Sequence, residues 1–97
     1  MTAARFVVVA VLDVHPDAVG AFRRYEARVL PLLERHDGAL ERRLRTPDGT
    51  TEVHLLSFAD EAAWRGYLAD PDRLGHRAVL AGASVDQRVL EALTDVS

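Results

Sequence analysis

The chain has 97 residues, of which 48% are apolar and 28% charged, with a net charge of −3 at pH 7. This length and composition are typical of one soluble globular domain and exclude a disordered chain. We therefore expect a single domain over residues 1–97. The acidic balance argues against nucleic-acid binding, which normally requires a basic surface.

Two missing residue types remove several classes of site. The chain has no Cys, which excludes disulfides, thiolate nucleophiles and cysteine-bound metals. It also has no Lys, which excludes Schiff-base chemistry. No apolar run approaches the ~20 residues of a membrane-spanning helix, and no secretory signal pattern opens the chain. We expect no membrane association and a cytoplasmic location.

The N-terminal part of the chain predicts a strand followed by a helix. Residues 5–13 are β-branched and apolar on both faces, as in a strand buried on both sides. A helix is expected to open at Pro16, with Phe22 in its buried stripe. Pro31 should kink the last turns of this helix, and Gly38 should end it.

The middle of the chain predicts a β-hairpin. Residues 39–45 alternate, with Leu40 and Leu44 on a dry face and charged side chains on a wet one. Arg43 is expected to form solvated ion pairs of little energetic weight on the wet face. The Pro-Asp-Gly sequence at 47–49 predicts the turn into the next strand.

The C-terminal half predicts a strand, an interrupted helix and a last strand. Residues 52–58 are again apolar on both faces. Asp60 should cap the next helix, and Asp70-Pro71 should start a second one that runs to Gly82. Residues 85–93 are compatible with a strand or a short helix, and we predict a strand.

The predicted order, βαββαβ, is that of the α+β ferredoxin-like fold. The first and third strands then lie at the centre of a four-stranded antiparallel sheet, and the second and fourth form its edges. Two helices cover only one face, which leaves roughly several hundred Å² of apolar surface bare, more than soluble monomers usually expose. We therefore expect a homodimer in which the open sheet faces of two copies close into a dimeric α/β barrel.

Two stretches, "VLPLLERHDGALERR" at 29–43 and "LLSFADEAAWRGYLADPDR" at 55–73, carry a family resemblance. With them, the chain resembles the dimeric α/β-barrel superfamily, and within it the antibiotic-biosynthesis-monooxygenase group and its uncharacterised relatives. That group includes cofactor-independent oxygenases of polycyclic aromatics, isomerases and dehydratases of small ring compounds, and haem-degrading enzymes. The haem-degrading branch has an Asn on the first strand and a Trp at the end of the third. This chain has Val residues and Phe58 there, so haem is not expected.

Four histidines are the first candidates for site residues. They are too dispersed in sequence for a local metal site, so we expect no metal. The glycines are scattered singly and form no phosphate-binding loop, so we also expect no cofactor. His15 and His36 flank helix ends, where they satisfy backbone groups or face water. His54 lies among apolar side chains and is either a structural residue with a buried partner or a catalytic one. His76 is a candidate general acid or base beside a cleft.

The aromatic residues of the second helix allow two interpretations. Trp64 and Tyr67 share one helical face, which is typical of core packing. Alternatively, they line an apolar pocket between sheet and helices and bind a small aromatic ligand against Phe22 and Tyr25. Arg43 is a candidate contact for an anionic group.

Two functions are compatible with these features. The resemblance implies a small enzyme, a cofactor-independent monooxygenase acting on an aromatic or polyketide-like metabolite. In it, Tyr25, His54 or His76 removes a proton, and dioxygen reacts with the resulting carbanion. The alternative is a non-catalytic ligand-binding or assembly domain. An open pocket at which two ionisable groups meet would favour the enzyme, and a closed core would favour the assembly domain.

Overall fold

The computed structural model describes residues 5–97 and contains one antiparallel sheet of four strands. The strands are β1 (Phe6–Val14), β2 (Gly38–Arg45), β3 (Thr51–Phe58) and β4 (Val85–Leu93), in the order β2-β3-β1-β4. The helices are α1 (Val19–Val29), α2 (Glu61–Leu68) and α3 (Pro71–His76). Short 3-10 helices occur at Pro16–Ala18, Leu30–His36 and Arg77–Leu80. The predicted ferredoxin-like fold is confirmed, including the C-terminal strand.

The helices cover only one face of the sheet, and the side chains of β1 show this most clearly. Its alternate side chains Val8, Ala10, Leu12 and Val14 are buried under the helices, on what we call the inner face. The intervening Val7, Val9 and Val11 are only partly buried and belong to the outer face. The prediction that β1 and β3 are the central pair is confirmed.

The connection from α1 to β2 differs from the predicted kinked helix. Pro31 has no N–H group and its ring clashes with the preceding turn. The α-helix is therefore followed by a 3-10 helix, Leu30–His36. This helix ends at His36, and its C-cap residue Asp37 has a left-handed φ of 51°, one residue before the predicted stop at Gly38. Gly38 is required for a different reason, because a Cβ atom there would lie 2.6 Å from Cε1 of Phe58.

The prediction that Leu40 and Leu44 share one face of β2 is wrong. The register between β2 and β3 shifts between Leu40 and Arg42, as at a β-bulge. Leu40 therefore lies opposite the buried Leu56 on the inner face, whereas Leu44 lies opposite Val53 on the outer face. The shift also brings Arg43, predicted to be solvated, and Arg45 to the inner face, opposite His54 and Glu52.

The predicted turn and helix starts are confirmed. Gly49 has a φ of 79°, the left-handed conformation that the hairpin turn requires. The Asp60 carboxylate accepts a hydrogen bond from the backbone N–H of Ala63, and that of Asp70 accepts one from Asp72, each at 2.8 Å. None of the helices within residues 5–97 is both long and apolar enough to span a membrane.

The space between the sheet and the helices holds two clusters of buried apolar side chains. One cluster consists of Val8, Leu33, Leu56, Phe58, Trp64 and Tyr67. The other consists of Ala10, Leu12, Val14, Ala18 and Phe22. The inner face of β3 also carries two buried polar side chains, Glu52 and His54, opposite Leu12 and Ala10 of the second cluster.

Candidate active site

A cavity of about 380 Å³ lies between the inner face of the sheet and the helices. Small-molecule sites usually measure roughly 300–1,000 Å³, so this cavity is large enough for a ring compound. Both apolar clusters contribute to its wall, through Phe22, Leu56, Trp64 and Tyr67 among others. Its polar and charged lining residues are Tyr25, Glu26, His54, Arg73, Arg77 and Gln87. Trp64 and Tyr67 are therefore both core residues and cavity wall.

Glu26 is the buried carboxyl group of this cavity, with only 5% of its surface exposed. Burial raises the pKa of Glu26 to about 7; the charge of Arg43 opposes this rise and that of Glu52 reinforces it. The residue was missed from the sequence. A signal was present, because Glu26 is four residues after Phe22 and three before Val29, within the apolar stripe of α1.

Glu52 is 1% exposed and contacts three polar side chains, Arg43, Arg45 and His54. We call these four residues the polar layer. Glu52 accepts hydrogen bonds from Nε of Arg43 at 2.7 Å and Nε of Arg45 at 2.9 Å, and Nε2 of His54 lies 2.8 Å away. Burial alone would raise the pKa of Glu52, but these donors hold it at about 2. Arg43 is thus bound to a buried carboxylate and does not line the cavity, contrary to the predicted solvated pair.

His54 has a structural partner on one side and the cavity on the other. Burial lowers the pKa of His54, although Glu52 opposes this effect, so the ring is neutral at pH 7. Because the Glu52 carboxylate can only accept, Nε2 of His54 carries the proton and donates it. Nδ1 then has a free lone pair, 3.9 Å from Oε2 of Glu26.

The two tyrosines of the cavity are hydrogen-bond donors. Burial raises the pKa of both Tyr25 and Tyr67 above 10.0. Their hydroxyl groups therefore keep their protons at neutral pH and are poor bases. This placement argues for Tyr25 as a polar contact for a ligand, not as the group that removes a proton.

The remaining histidines lie outside the cavity lining. His76 ends α3, is partly exposed and does not border the cavity, so its position gives no support to a role in proton transfer there. His36 places Nε2 2.7 Å from the Asp70 carboxylate, and this contact holds the pKa of Asp70 at about 2. His15 accepts a hydrogen bond from the N–H of Asp17, as predicted for a helix end. No cluster of metal-ligating side chains is formed by residues 5–97.

Solved structures of other proteins match almost the whole chain. SnoaB, a cofactor-independent oxygenase from Streptomyces nogalater, is 25% identical, with a TM-score of 0.70 over 97% of this chain and 98% of that one. Rv0793 from Mycobacterium tuberculosis is 22% identical, with a TM-score of 0.70 over 97% and 100%. An antibiotic biosynthesis monooxygenase-like protein from Bacteroides thetaiotaomicron is 14% identical, with a TM-score of 0.77 over 95% and 90%. The chain has the ferredoxin-like fold of the antibiotic biosynthesis monooxygenases.

The resemblance stated from residues 29–43 and 55–73 is confirmed at the level of the fold. No model of a known protein family matches the chain, and no curated protein is significantly similar to it. The antibiotic biosynthesis monooxygenase fold nevertheless brings three distant segments to one cavity. Glu26 comes from α1, His54 from β3 and Trp64 from α2, and all three lie against the same space.

Proposed function

We propose that this protein is a cofactor-independent monooxygenase that acts on an aromatic or polyketide-like metabolite. The observation that carries the proposal is the meeting of two buried ionisable groups, Glu26 and His54, at an apolar cavity walled by aromatic rings. An assembly domain with a closed core would have no such cavity and no pair of ionisable groups meeting at it. The fold shared with SnoaB, itself a cofactor-independent oxygenase, supports the same class of chemistry.

The proposed base is Glu26. A general base works best when its pKa lies near the operating pH, and the pKa of Glu26 is about 7. Above that pH, its carboxylate removes a proton from an activated carbon of the bound ring compound. The new O–H group of Glu26 then faces the free lone pair at Nδ1 of His54, which accepts a hydrogen bond once the 3.9 Å separation closes. Glu52 keeps His54 in the required tautomer.

The carbanion formed in this way reacts directly with dioxygen. It passes one electron to dioxygen, and recombination forms a carbon–oxygen bond and a peroxide anion. The peroxide takes up the proton held by Glu26. Loss of water from the CH–OOH group then leaves a ketone, so that one oxygen atom enters the product and the other leaves as water.

Oxidation of anthrone by the purified protein tests this proposal. Anthrone is a neutral three-ring ketone whose CH₂ group is acidified by both flanking rings, and it matches the apolar cavity. We expect dioxygen uptake and anthraquinone formation well above the uncatalysed rate, with one dioxygen consumed per anthrone and no hydrogen peroxide released. Tight binding of anthrone without any acceleration would favour the non-catalytic ligand-binding alternative instead.

We also propose that two copies pair through the outer face of the sheet. The central strands present Val7, Val9, Val11, Val53 and Leu55 there, all partly exposed. The edge strands add Leu44 and Leu90, of which 46% and 38% are exposed. A contiguous apolar surface of this kind normally marks an interface.

Val9→Glu is expected to convert the dimer into a monomer. Val9 lies opposite both Leu55 and Leu90, at the middle of the outer face, and a carboxylate buried there without a partner is strongly unfavourable. Sedimentation velocity at micromolar concentration should show a dimer for the wild-type chain and a monomer for V9E. Ala62→Glu, on an exposed position of α2, is the matched control and should remain dimeric. A monomeric wild-type chain would refute the proposed assembly.

A further inference from the structure

Two arginines at the cavity differ from those around them. Arg35, Arg43, Arg45 and Arg65 each lie within 4.0 Å of a carboxylate. Arg73 and Arg77 also line the cavity, but within residues 5–97 neither makes such an ion pair. These two cations thus have no carboxylate from the described part of the chain within 4.0 Å, although Glu26 lines the same cavity.

Arg73 is held in place but left incompletely bonded. Its guanidinium carbon lies 4.9 Å from the centre of the Tyr67 ring, and its Nη1 makes a long 3.5 Å hydrogen bond to the Leu68 carbonyl. Its Nε atom is buried and has no hydrogen-bond partner among the described residues. A buried donor without an acceptor is costly, and an oxygen atom of a bound ligand would satisfy it.

The charges of the cavity indicate the sign of that ligand. Arg73 and Arg77 are always cationic, and His54 is neutral at pH 7. Glu26, which lines the same cavity, supplies at most one negative charge. The side chains that line the cavity therefore carry a net positive charge, and a guanidinium fork matches the two oxygen atoms of a carboxylate.

We propose that Arg73 and Arg77 form a subsite for the carboxylate of an aromatic ligand. The inference rests on the proposed function, since it requires that a ring compound enters the cavity, and it deepens that function by naming an aromatic acid as the substrate class. The ring lies against Trp64 and Tyr67, and the acidic group bonds to the arginines at the α3 side.

A matched pair of probes tests the subsite: anthraquinone-2-carboxylate and its neutral analogue anthraquinone-2-carboxamide. Calorimetry gives the affinity of each, and quenching of Trp64, the single Trp of the chain, shows whether the probe enters the cavity. We expect the acid to bind at least about tenfold more tightly than the amide, as hydrogen bonds to charged groups typically provide. Both probes should quench Trp64.

Variants of Arg73 test whether the preference for the acid over the amide arises at the proposed subsite. Arg73→Gln should remove most of the roughly tenfold preference for the acid, because it weakens binding of the acid far more than binding of the amide. Arg73→Lys should restore it only in part, because an ammonium group lacks the planar fork. Arg28→Gln, at an exposed position of α1 outside the cavity lining, is the matched control and should behave like the wild type.

The outcomes separate the two proposals. Equal binding of acid and amide, with quenching by both, would overturn the subsite while leaving an open aromatic cavity. A preference for the acid that survives in R73Q and R77Q would also overturn it. Failure of both probes to quench Trp64 would overturn the subsite together with the proposed ligand cavity. Turnover of neutral anthrone is independent of the subsite, so its loss would count against the monooxygenase proposal alone.

Discussion

Glu26→Gln is expected to lower kcat for anthrone oxidation about 10²- to 10⁴-fold, the range that a positioned general base contributes. Glutamine fills the same space but cannot take up the proton. In the wild-type protein, kcat/KM should rise with pH through about 7 as Glu26 becomes a carboxylate. In E26Q this rise should disappear. Oxygen-uptake kinetics between pH 5.5 and 9 measure both effects.

The stability of the same variant distinguishes a lost base from a damaged fold. The pKa of Glu26 is about 7 in the folded chain and 4.5 ordinarily, so the folded state holds a proton that the unfolded state releases. Stability therefore falls as the pH rises from about 4.5 to 7, by up to about 3 kcal/mol. Gln has no such titration, so E26Q should unfold at a higher temperature than the wild type at pH 8.

Glu34→Gln is the matched control for these measurements, because Glu34 is exposed and does not line the cavity. It should leave both the rate and the pH profile unchanged. Two results would remove Glu26 from its proposed role: an E26Q enzyme with wild-type kcat, or an unchanged pH midpoint near 7.

Much of the fold could be predicted because its signals are local. The β-branched, apolar run of β1 predicts a central strand, Gly49 supplies the left-handed turn position, and Asp60 and Asp70 cap their helices. Each of these signals lies within a few residues. The ferredoxin-like order then follows from the sequence of elements alone.

The site was harder to predict because it depends on register and burial. One irregularity between Leu40 and Arg42 turns Arg43 inward, and no local composition marks a bulge. Sequence patterns also assign Glu to solvent, since it is rarely buried without a partner, and so the carboxyl group of Glu26 was overlooked. Arg73 was missed because its long side chain reaches the cavity from a short helix.

Glu52→Gln should have the largest effect on stability, about 3–5 kcal/mol, as expected when one partner of a buried ion pair is removed. Arg43 and Arg45 then lose their shared carboxylate. The folded-state pKa of Glu52, about 2, is below its ordinary 4.5. Its contribution to stability is therefore present above pH 4.5 and is lost as the pH falls towards 2. Urea unfolding at pH 7 and pH 3 should show a smaller loss on acidification for E52Q than for the wild type.

The kinetics of E52Q report on the coupling between Glu52 and the proposed base. The negative charge of Glu52 helps to raise the pKa of Glu26, so its removal should lower that pKa and move the midpoint of the pH–rate profile below 7. A Gln side chain can also donate to Nε2 of His54, which would place the ring proton on Nδ1, facing Glu26, and stabilise the carboxylate further. Both effects act in the same direction. If the midpoint of the pH–rate profile stays at 7 in folded E52Q, Glu52 does not influence the pKa of Glu26, and the polar layer only stabilises the fold.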